Sequence, residues 1–157
     1  MLSAVTQADL IHSKSIPALI AKLLAERQET LVLLNRLAAL KTSLAIATVR
    51  SLLQQFCQVL VDYVALGHFE VYQCLEDHVG DAERCRRNKR LTRDWYPRIT
   101  ATTQAALAFN DRYDGQAHCE IRAGFWTDLS RLGEELATRI ELEDRLIAAV
   151  KAPAPVQ

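Results

Sequence analysis

The sequence lacks a net charge and has few of the residues that make turns, and both shortages exclude whole classes of protein. Among 157 residues, nineteen Lys and Arg side chains balance nineteen Asp and Glu side chains. A protein that coats DNA or an anionic membrane needs a cationic excess, so neutrality argues against both. Five Gly and four Pro residues are too few for the many turns of an all-β fold.

Long apolar runs and a cleavable leader are also missing. Charged side chains interrupt the most apolar stretch at Arg36, Lys41, Arg50 and Asp62, whereas a membrane-spanning helix needs about 20 near-continuous apolar residues. Residues 1–9 show no cationic region followed by an apolar one, so we expect no signal peptide. We therefore expect a cytoplasmic protein without a membrane segment.

The sequence also lacks the motifs of metal-dependent and covalent catalysis. Its cysteines, Cys57, Cys74, Cys85 and Cys119, form no Cys-x-x-Cys pair, so we expect buried or half-buried thiols, with a disulfide or a metal site as alternatives. It has no Glu-x-x-His, which argues against a di-iron bundle. It has no glycine-rich phosphate loop, Gly-x-Ser-x-Gly or His-Glu-x-x-His motif. We expect no metal, no cofactor and no enzymatic activity.

What the sequence does contain is helical periodicity, because apolar residues recur at three- and four-residue intervals. Pro17 and Pro97 fit the first turns of helices, and Gly67 is expected to end one. A polar joint is expected over 79–93, and Asp114-Gly115 predicts a turn. The pattern predicts long helices over 16–40, 44–66, 94–113 and 120–150, with a short helix over 68–77 and a weaker one over 4–13.

Four long amphipathic helices with short connections predict an all-α fold, an antiparallel up-down bundle with short accessory helices. Residues 1–151 are expected to form one domain, and residues 152–157 a flexible tail. No acidic residue occurs between Leu31 and Val61, and apolar residues run around the first helix from Leu31 to Leu34. A helix that is apolar on more than one side buries a second face, either in a thick core or against a partner.

Two charged residues lie on the apolar stripe of the last helix. At about 100° per residue, Glu143 projects from the middle of that stripe, and Arg139 lies one turn earlier on the same side. A buried carboxylate must be paired or neutralised. We therefore predict an interior polar network to which Tyr63 and His68 contribute, with a ligand pocket as the alternative. Asp62 lies at the edge of its own stripe, where a solvated carboxylate is usual.

The run from Arg84 to Arg93 carries six cations in ten residues. A solvated joint is the expected role, and a patch for an acidic partner or nucleic acid is the alternative. Base-stacking aromatic residues do not interleave with these cations, and the whole chain is neutral, which weakens the nucleic-acid alternative.

The segment from Gln55 to Tyr72, QFCQVLVDYVALGHFEVY, resembles the central signature of the Rsd/AlgQ family. Proteins of this family are bacterial anti-sigma regulators of the housekeeping sigma factor. Two further blocks, 96–112 and 136–147, are similar to the family, and the first helix is similar more weakly over 19–29. The family's first helix usually carries an Asp and a Trp where this chain has Ala21 and Leu23.

The resemblance implies a helical bundle that binds domain 4 of the primary sigma factor. That domain reads the −35 promoter element and docks on core RNA polymerase, so binding would sequester it. Asp62 matches the family's signature aspartate and is implied to matter for sigma binding, and Leu23, Arg27, Leu31 and His68 complete the expected partner-binding set. The resemblance implies no direct contact with nucleic acid, and we expect a monomer or a weak homodimer.

Two other functions are compatible with the residues. The first is a small-ligand sensor that uses the polar interior around His68, Arg139 and Glu143. The second is a structural bundle that self-associates through its first helix.

Overall fold

The computed structural model describes the backbone of residues 4–42, 46–78, 82–114 and 124–151, and the side chains of residues 16–42, 46–78, 94–114 and 124–151. Within these ranges the chain is almost entirely helical and contains no strand, which confirms the predicted all-α class. Leu40–Thr42 forms a 3-10 turn, and Gly67–Val71 forms a π-helical turn. The helices are α1 (Ala4–Ala39), α2 (Ile46–Leu66), α3 (Tyr72–His78), α4 (Ala82–Tyr113) and α5 (Gly124–Lys151).

Helices α2 and α4 run antiparallel. Near the middle of α2, the ring of Phe56 packs edge-on against Phe109, which lies near the end of α4, with centroids 5.9 Å apart. Just beyond the end of α2, Tyr72 packs edge-on against Trp95, nearer the start of α4, at 5.2 Å. A higher number on one element therefore meets a lower number on the other.

Helices α1 and α5 are antiparallel for the same reason. The guanidinium of Arg27 donates a hydrogen bond of 2.8 Å to Asp144. About two turns further along α1, Leu34 lies beside Gly133, which is earlier in α5. Helices α4 and α5 are antiparallel too, because Arg112 near the end of α4 lies 3.0 Å from Asp128 near the start of α5, whereas the earlier Thr103 accepts a hydrogen bond from the later Arg139. The long helices α1, α2, α4 and α5 therefore alternate in direction, and the predicted up-down bundle is confirmed.

The core is built from one apolar stripe on each long helix. In α1, Leu23 and Leu37 are fully buried, and in α2 the same is true of Phe56 and Leu60. Fully burying a Leu or Phe side chain is worth about 1.5–3 kcal/mol, so these stripes hold the helices against one another. The buried stripe of α5 consists of Phe125, Leu129, Leu132, Leu136, Leu142, Leu146 and Ile147.

Two predicted breaks between helices are absent from the structure. Gly67 does not end the helical path, because a π-helical turn carries the chain from α2 directly into α3. Pro17 lies inside α1, because the weak helix expected over 4–13 is the beginning of α1 itself. A proline in this position forgoes one backbone hydrogen bond, and the buried Ile16 and Ile20 beside it pack into the core.

The polar joint expected over 79–93 is also largely wrong. Helix α4 begins at Ala82 rather than at residue 94, so Pro97 lies in its interior and not in its first turn. No Gly or Pro occurs between residues 82 and 93, so nothing in that segment breaks a helix. The side chains of the arginine-rich run, the expected tail over 152–157, and residues 115–123 with Gly115 and Cys119 lie outside the described residues.

The described part of the chain also bears on the state of the cysteines and on the apolar character of the helices. Cys57 and Cys74 are buried thiols, as expected. None of the described helices combines the length and the apolar character needed to cross a membrane.

Candidate functional site

The most unusual feature of the interior is a carboxyl group in the middle of the core. Glu143 is 1% exposed on the buried face of α5. The hydroxyl of Tyr63, from α2, donates to its Oε1 at 2.5 Å, and the hydroxyl of Tyr72, the first residue of α3, donates to its Oε2 at 2.5 Å. One carboxyl group therefore fixes the last turn of α2 and the beginning of α3 to α5.

Burial determines the protonation of these groups. It raises the pKa of Tyr63 and of Tyr72 far above the ordinary value, and the charge of Glu143 raises both further. Both hydroxyls consequently keep their protons and remain donors. Burial also raises the pKa of Glu143, although Arg139, the two hydroxyls and Arg27 act in the opposite direction.

Arg139 lies one turn before Glu143 and is also fully buried. Its Nε is 3.6 Å from Oε2 of Glu143. Its Nη1 donates to Thr102 at 3.1 Å and to Thr103 at 2.7 Å, both on α4. Its Nε and Nη2 have no hydrogen-bond partner among the described residues.

The guanidinium of Arg139 also lies over two aromatic rings. Its carbon is 5.2 Å from the ring centroid of Tyr63 and 5.3 Å from that of Tyr72. Such cation–π contacts are worth about 2 kcal/mol or more when they are desolvated. The tyrosines therefore serve the network twice, with their hydroxyls on the carboxyl group and with their faces on the guanidinium.

The π-helical turn brings these groups together, and Gly67 allows the close approach. A Cβ at Gly67 would lie 2.6 Å from Cζ of Tyr72 and 3.0 Å from Nη2 of Arg139. Trp95 closes the other side, because its indole donates a hydrogen bond of 2.6 Å to the carbonyl of Leu142 and its ring packs edge-on against Tyr72. The glycine is thus explained by packing against Tyr72 rather than by a reversal of the chain.

Arg27 connects this interior to the surface. Its Nη1 is 3.6 Å from Oε1 of Glu143 and 2.8 Å from Oδ1 of Asp144, and its side chain is 17% exposed. The side chain of Asp144 is 57% exposed. A cation on α1 is therefore held between a buried and an exposed carboxyl group.

A groove of about 890 Å³ runs along the outer face between α1 and α2. Apolar side chains of both helices line it, namely Val32 and Leu33 from α1 and Val59 from α2. The polar lining residues are Gln28, Glu29 and Arg36 from α1 and Ser51, Gln54, Gln55, Gln58 and Asp62 from α2. This mixture of an apolar floor with polar walls is typical of protein-binding surfaces.

Carboxylates gather at the end of the groove that contains Asp62. Burial raises the pKa of Glu26. Lys22 lowers that pKa, and the negative charges of Asp62, Glu29 and Glu70 raise it. Lys22 also lies 3.7 Å from Glu70. Four carboxylates with one cation between them give this end of the groove a negative potential.

The structure separates the residues that sequence analysis assigned to a partner-binding set. Asp62 is exposed on the wall of the groove, and Arg27 and Leu31 are half-buried. Leu23 is 0% exposed, so it has no surface to offer a partner. His68 is exposed on the π-helical turn, with its ring packed edge-on against Phe69 at 4.9 Å.

The structure also sorts the residues expected in the interior network. It brings Tyr63, Arg139 and Glu143 into contact, but it places the side chain of His68 at the surface. His68 directly follows the buried Gly67, yet its own side chain is exposed.

Sequence reasoning missed Tyr72, Thr102 and Thr103 as members of this network. Tyr72 follows Tyr63 by nine positions, which at about 100° per residue places it on the opposite side of a regular helix. The π-helical turn inserts one residue and so rotates Tyr72 by about 100° toward Glu143. For α4, the sequence did contain a signal, because Thr102 is a polar residue within the apolar stripe of that helix.

The described side chains contain no group of three or more His, Cys, Asp or Glu residues placed to hold a metal ion. The site consists of a buried polar network around Glu143 and a charged groove between α1 and α2. Such an arrangement is suited to recognition by shape and charge.

The chain was compared with protein families, with curated proteins and with solved structures. A family model described as "Regulator of RNA polymerase sigma(70) subunit, Rsd/AlgQ" matches residues 1–151. No solved structure matches the chain.

Several curated relatives carry the name "Regulator of sigma D". The protein from Yersinia enterocolitica is 38% identical over 96 residues, which are 60% of this chain and 56% of the relative. The protein from Yersinia pseudotuberculosis is 37% identical over 99 residues, with the same two shares. The Escherichia coli protein is 34% identical over 110 residues, 67% of this chain and 65% of the relative. The matched part thus spans little more than half the length of the Yersinia relatives.

Proposed function

We propose that this chain, which belongs to the Rsd/AlgQ family, regulates transcription by binding the primary sigma factor of RNA polymerase. The finer proposal is that it binds domain 4 of that factor and keeps the domain from the core enzyme and from the −35 element. Its action would take place where RNA polymerase works, in the bacterial cytoplasm. The role is one of binding rather than catalysis.

The observation that carries this proposal is the exposed Asp62 at the acidic end of the α1–α2 groove. A domain that binds DNA presents cations, because it must neutralise phosphates. A cluster of carboxylates attracts such a surface and accelerates the encounter. The apolar floor formed by Val32, Leu33 and Val59 supplies the contact area that charge alone does not.

The interior network supports this surface from below. Tyr63 follows Asp62 in α2, and its hydroxyl is held by Glu143. Arg27 faces the same carboxyl group from α1. The two helices that form the walls of the groove therefore both contact Glu143, a buried residue of α5. Leu23, which is buried, contributes to binding only by anchoring α1 to the core.

The experiment is a calorimetric titration of the purified chain with domain 4 of the host's primary sigma factor. The variant is Asp62→Asn, which removes the charge and keeps the shape. The matched control is Asp111→Asn, because Asp111 is an exposed aspartate on α4. Removing one partner of a charge pair that becomes desolvated in a complex costs about 2–5 kcal/mol. We therefore expect Asp62→Asn to weaken binding at least about tenfold.

Thermal melting of each variant separates a lost contact from a damaged fold. We expect Asp62→Asn to melt as the wild type does, because its side chain is solvated. Absence of binding by the wild-type chain at tens of micromolar would refute the proposal. Equal effects of Asp62→Asn and Asp111→Asn would show that the groove is not the binding surface.

A further inference from the structure

The charges along the α1–α2 groove are segregated by sign. Glu29 and Asp62 line one end, and Arg36 lines the other. The sequence contains no Asp or Glu between Thr30 and Val61, so no acidic residue offsets Arg36 locally.

The antiparallel packing of α1 and α2 places the acidic lining residues at one end of the groove and Arg36 at the other. The groove is lined from Ala25 to Arg36 on α1 and from Ser51 to Asp62 on α2. Because the two helices run in opposite directions, Ala25 and Glu29 lie near Asp62, and Arg36 lies near Ser51. At about 1.5 Å per residue, the lined length is about 16 Å.

The walls and floor between the two ends carry no charge. Gln54, Gln55 and Gln58 of α2 form one wall, and Val32 and Leu33 of α1 contribute to the floor. Val32 is 39% exposed, so its apolar side chain is open to contact from a partner. This central part can therefore hold the apolar face of a helix, while glutamine amides hydrogen-bond its polar edge.

Arg36 is free to bind a partner. Among the described residues it has no hydrogen bond or ion pair, and its side chain is exposed at the groove wall. A lone cation in a groove that receives a wholly basic partner would oppose binding. The same cation assists binding if the partner places a carboxylate beside it.

We propose that the α1–α2 groove receives one helix of about eleven residues in a single orientation. The basic end of that helix lies against Glu29 and Asp62, and a carboxylate at its other end lies against Arg36. This inference rests on the proposed function and identifies the chemistry of the partner segment. Reversing the helix would bring like charges together at both ends, which costs binding energy and so fixes the direction.

The experiment asks whether removing the charge of Arg36 weakens or strengthens binding of the sigma domain. The variant is Arg36→Gln, and the matched control is Arg98→Gln, which removes an exposed arginine from α4. Both are titrated with domain 4 of the primary sigma factor at low and at physiological salt. A single exposed ion pair is worth about 0.2–1 kcal/mol, so we expect Arg36→Gln to weaken binding about 1.4- to fivefold. We expect this loss to shrink at high salt and Arg98→Gln to bind as the wild type does.

Each other outcome overturns the inference. Tighter binding by Arg36→Gln would show that the partner presents only cations to the groove, and unchanged binding would show that nothing acidic reaches Arg36. In both cases the proposed function survives, because the wild type still binds. Absence of binding by the wild type removes the proposed function itself, and the inference with it.

A second copy of the chain is the competing occupant, because a groove with opposite charges at its ends can pair with itself about a two-fold axis. Sedimentation of the wild type and of Arg36→Gln distinguishes this case. We expect no dimer at the concentrations that saturate the sigma domain. A dimer that Arg36→Gln dissociates would overturn the inference.

Discussion

Replacing Gly67 with alanine tests whether the π-helical turn packs as closely as the structure shows. The new Cβ would lie 2.6 Å from Cζ and 2.7 Å from the hydroxyl of Tyr72. Both distances are shorter than any relaxed contact, so the ring must move. Moving it breaks the hydrogen bond from Tyr72 to Glu143.

The magnitude follows from three contributions. Overpacking a core costs about 1–3 kcal/mol. Loss of a hydrogen bond to a charged group costs about 1.5–3 kcal/mol. Alanine is intrinsically better than glycine in a helix by about 1 kcal/mol, which offsets part of the loss. Together these contributions predict that Gly67→Ala lowers the free energy of unfolding by about 1.5–5 kcal/mol.

The assay compares Gly67→Ala with Gly133→Ala, a second helical glycine in the same chain. At Gly133 the nearest atom to a new Cβ is Cδ2 of Leu34 at 3.9 Å, an ordinary contact. Only the helix propensity changes there, so we expect a gain of about 0.5–1 kcal/mol. At about 2–4 °C per kcal/mol for a chain of this size, Gly67→Ala should melt about 3–20 °C lower and Gly133→Ala about 1–4 °C higher.

Thermal unfolding followed by circular dichroism, together with denaturant titration, measures both variants. The reasoning fails if the two alanines change stability in the same direction. It also fails if Gly67→Ala is stabilised, because the close approach to Tyr72 would then be absent.

Two further predictions concern carboxyl groups. Glu143→Ala leaves Arg139 buried without its ion-pair partner and should lower the free energy of unfolding by about 3–5 kcal/mol. In denaturant titration the exposed neighbour variant Glu141→Ala should cost about 0.5 kcal/mol or less, and equal losses would contradict the account of the network. Because the fold raises the pKa of Glu26 above its ordinary 4.5, the contribution of Glu26 to stability is complete below about pH 4.5 and is lost as pH rises through the raised value. Binding of a basic partner favours the ionised form, so affinity should rise with pH over the same interval. Glu26→Gln should weaken both trends in melting and titration curves recorded between pH 4 and pH 8, leaving the part of the stability trend that comes from Glu143, whose pKa burial also raises. Trends of unchanged size would assign them to other groups.

The class of the fold could be predicted from the sequence alone, because the buried face of a helix appears as a local period of apolar residues. The stripe of α5 from Phe125 to Ile147 is visible in the sequence and is the stripe that the structure buries. The same periodicity identified Glu143 and Arg139 as charged groups on a buried face. The signature from Gln55 to Tyr72 also pointed to the family whose model matches the chain.

Helix ends were predicted less well. A glycine or proline makes a helix less stable at its position, but packing elsewhere can keep the backbone helical. Gly67 reads as a helix end on local grounds, yet its backbone continues through a π-helical turn. Pro17 and Pro97 likewise lie inside helices whose packing outweighs one missing hydrogen bond.

Which side chains contact one another could not be predicted from the sequence, because it depends on how the helices pack. Tyr72 joins Tyr63 on Glu143 because one inserted residue changes the phase of the helix, and a constant angle per residue cannot include that change. The two charged ends of the groove exist because α1 and α2 pack antiparallel, which brings Glu29 beside Asp62. Periodicity is a property of neighbours along the chain, whereas register between helices is fixed by the packing of side chains that are distant in sequence.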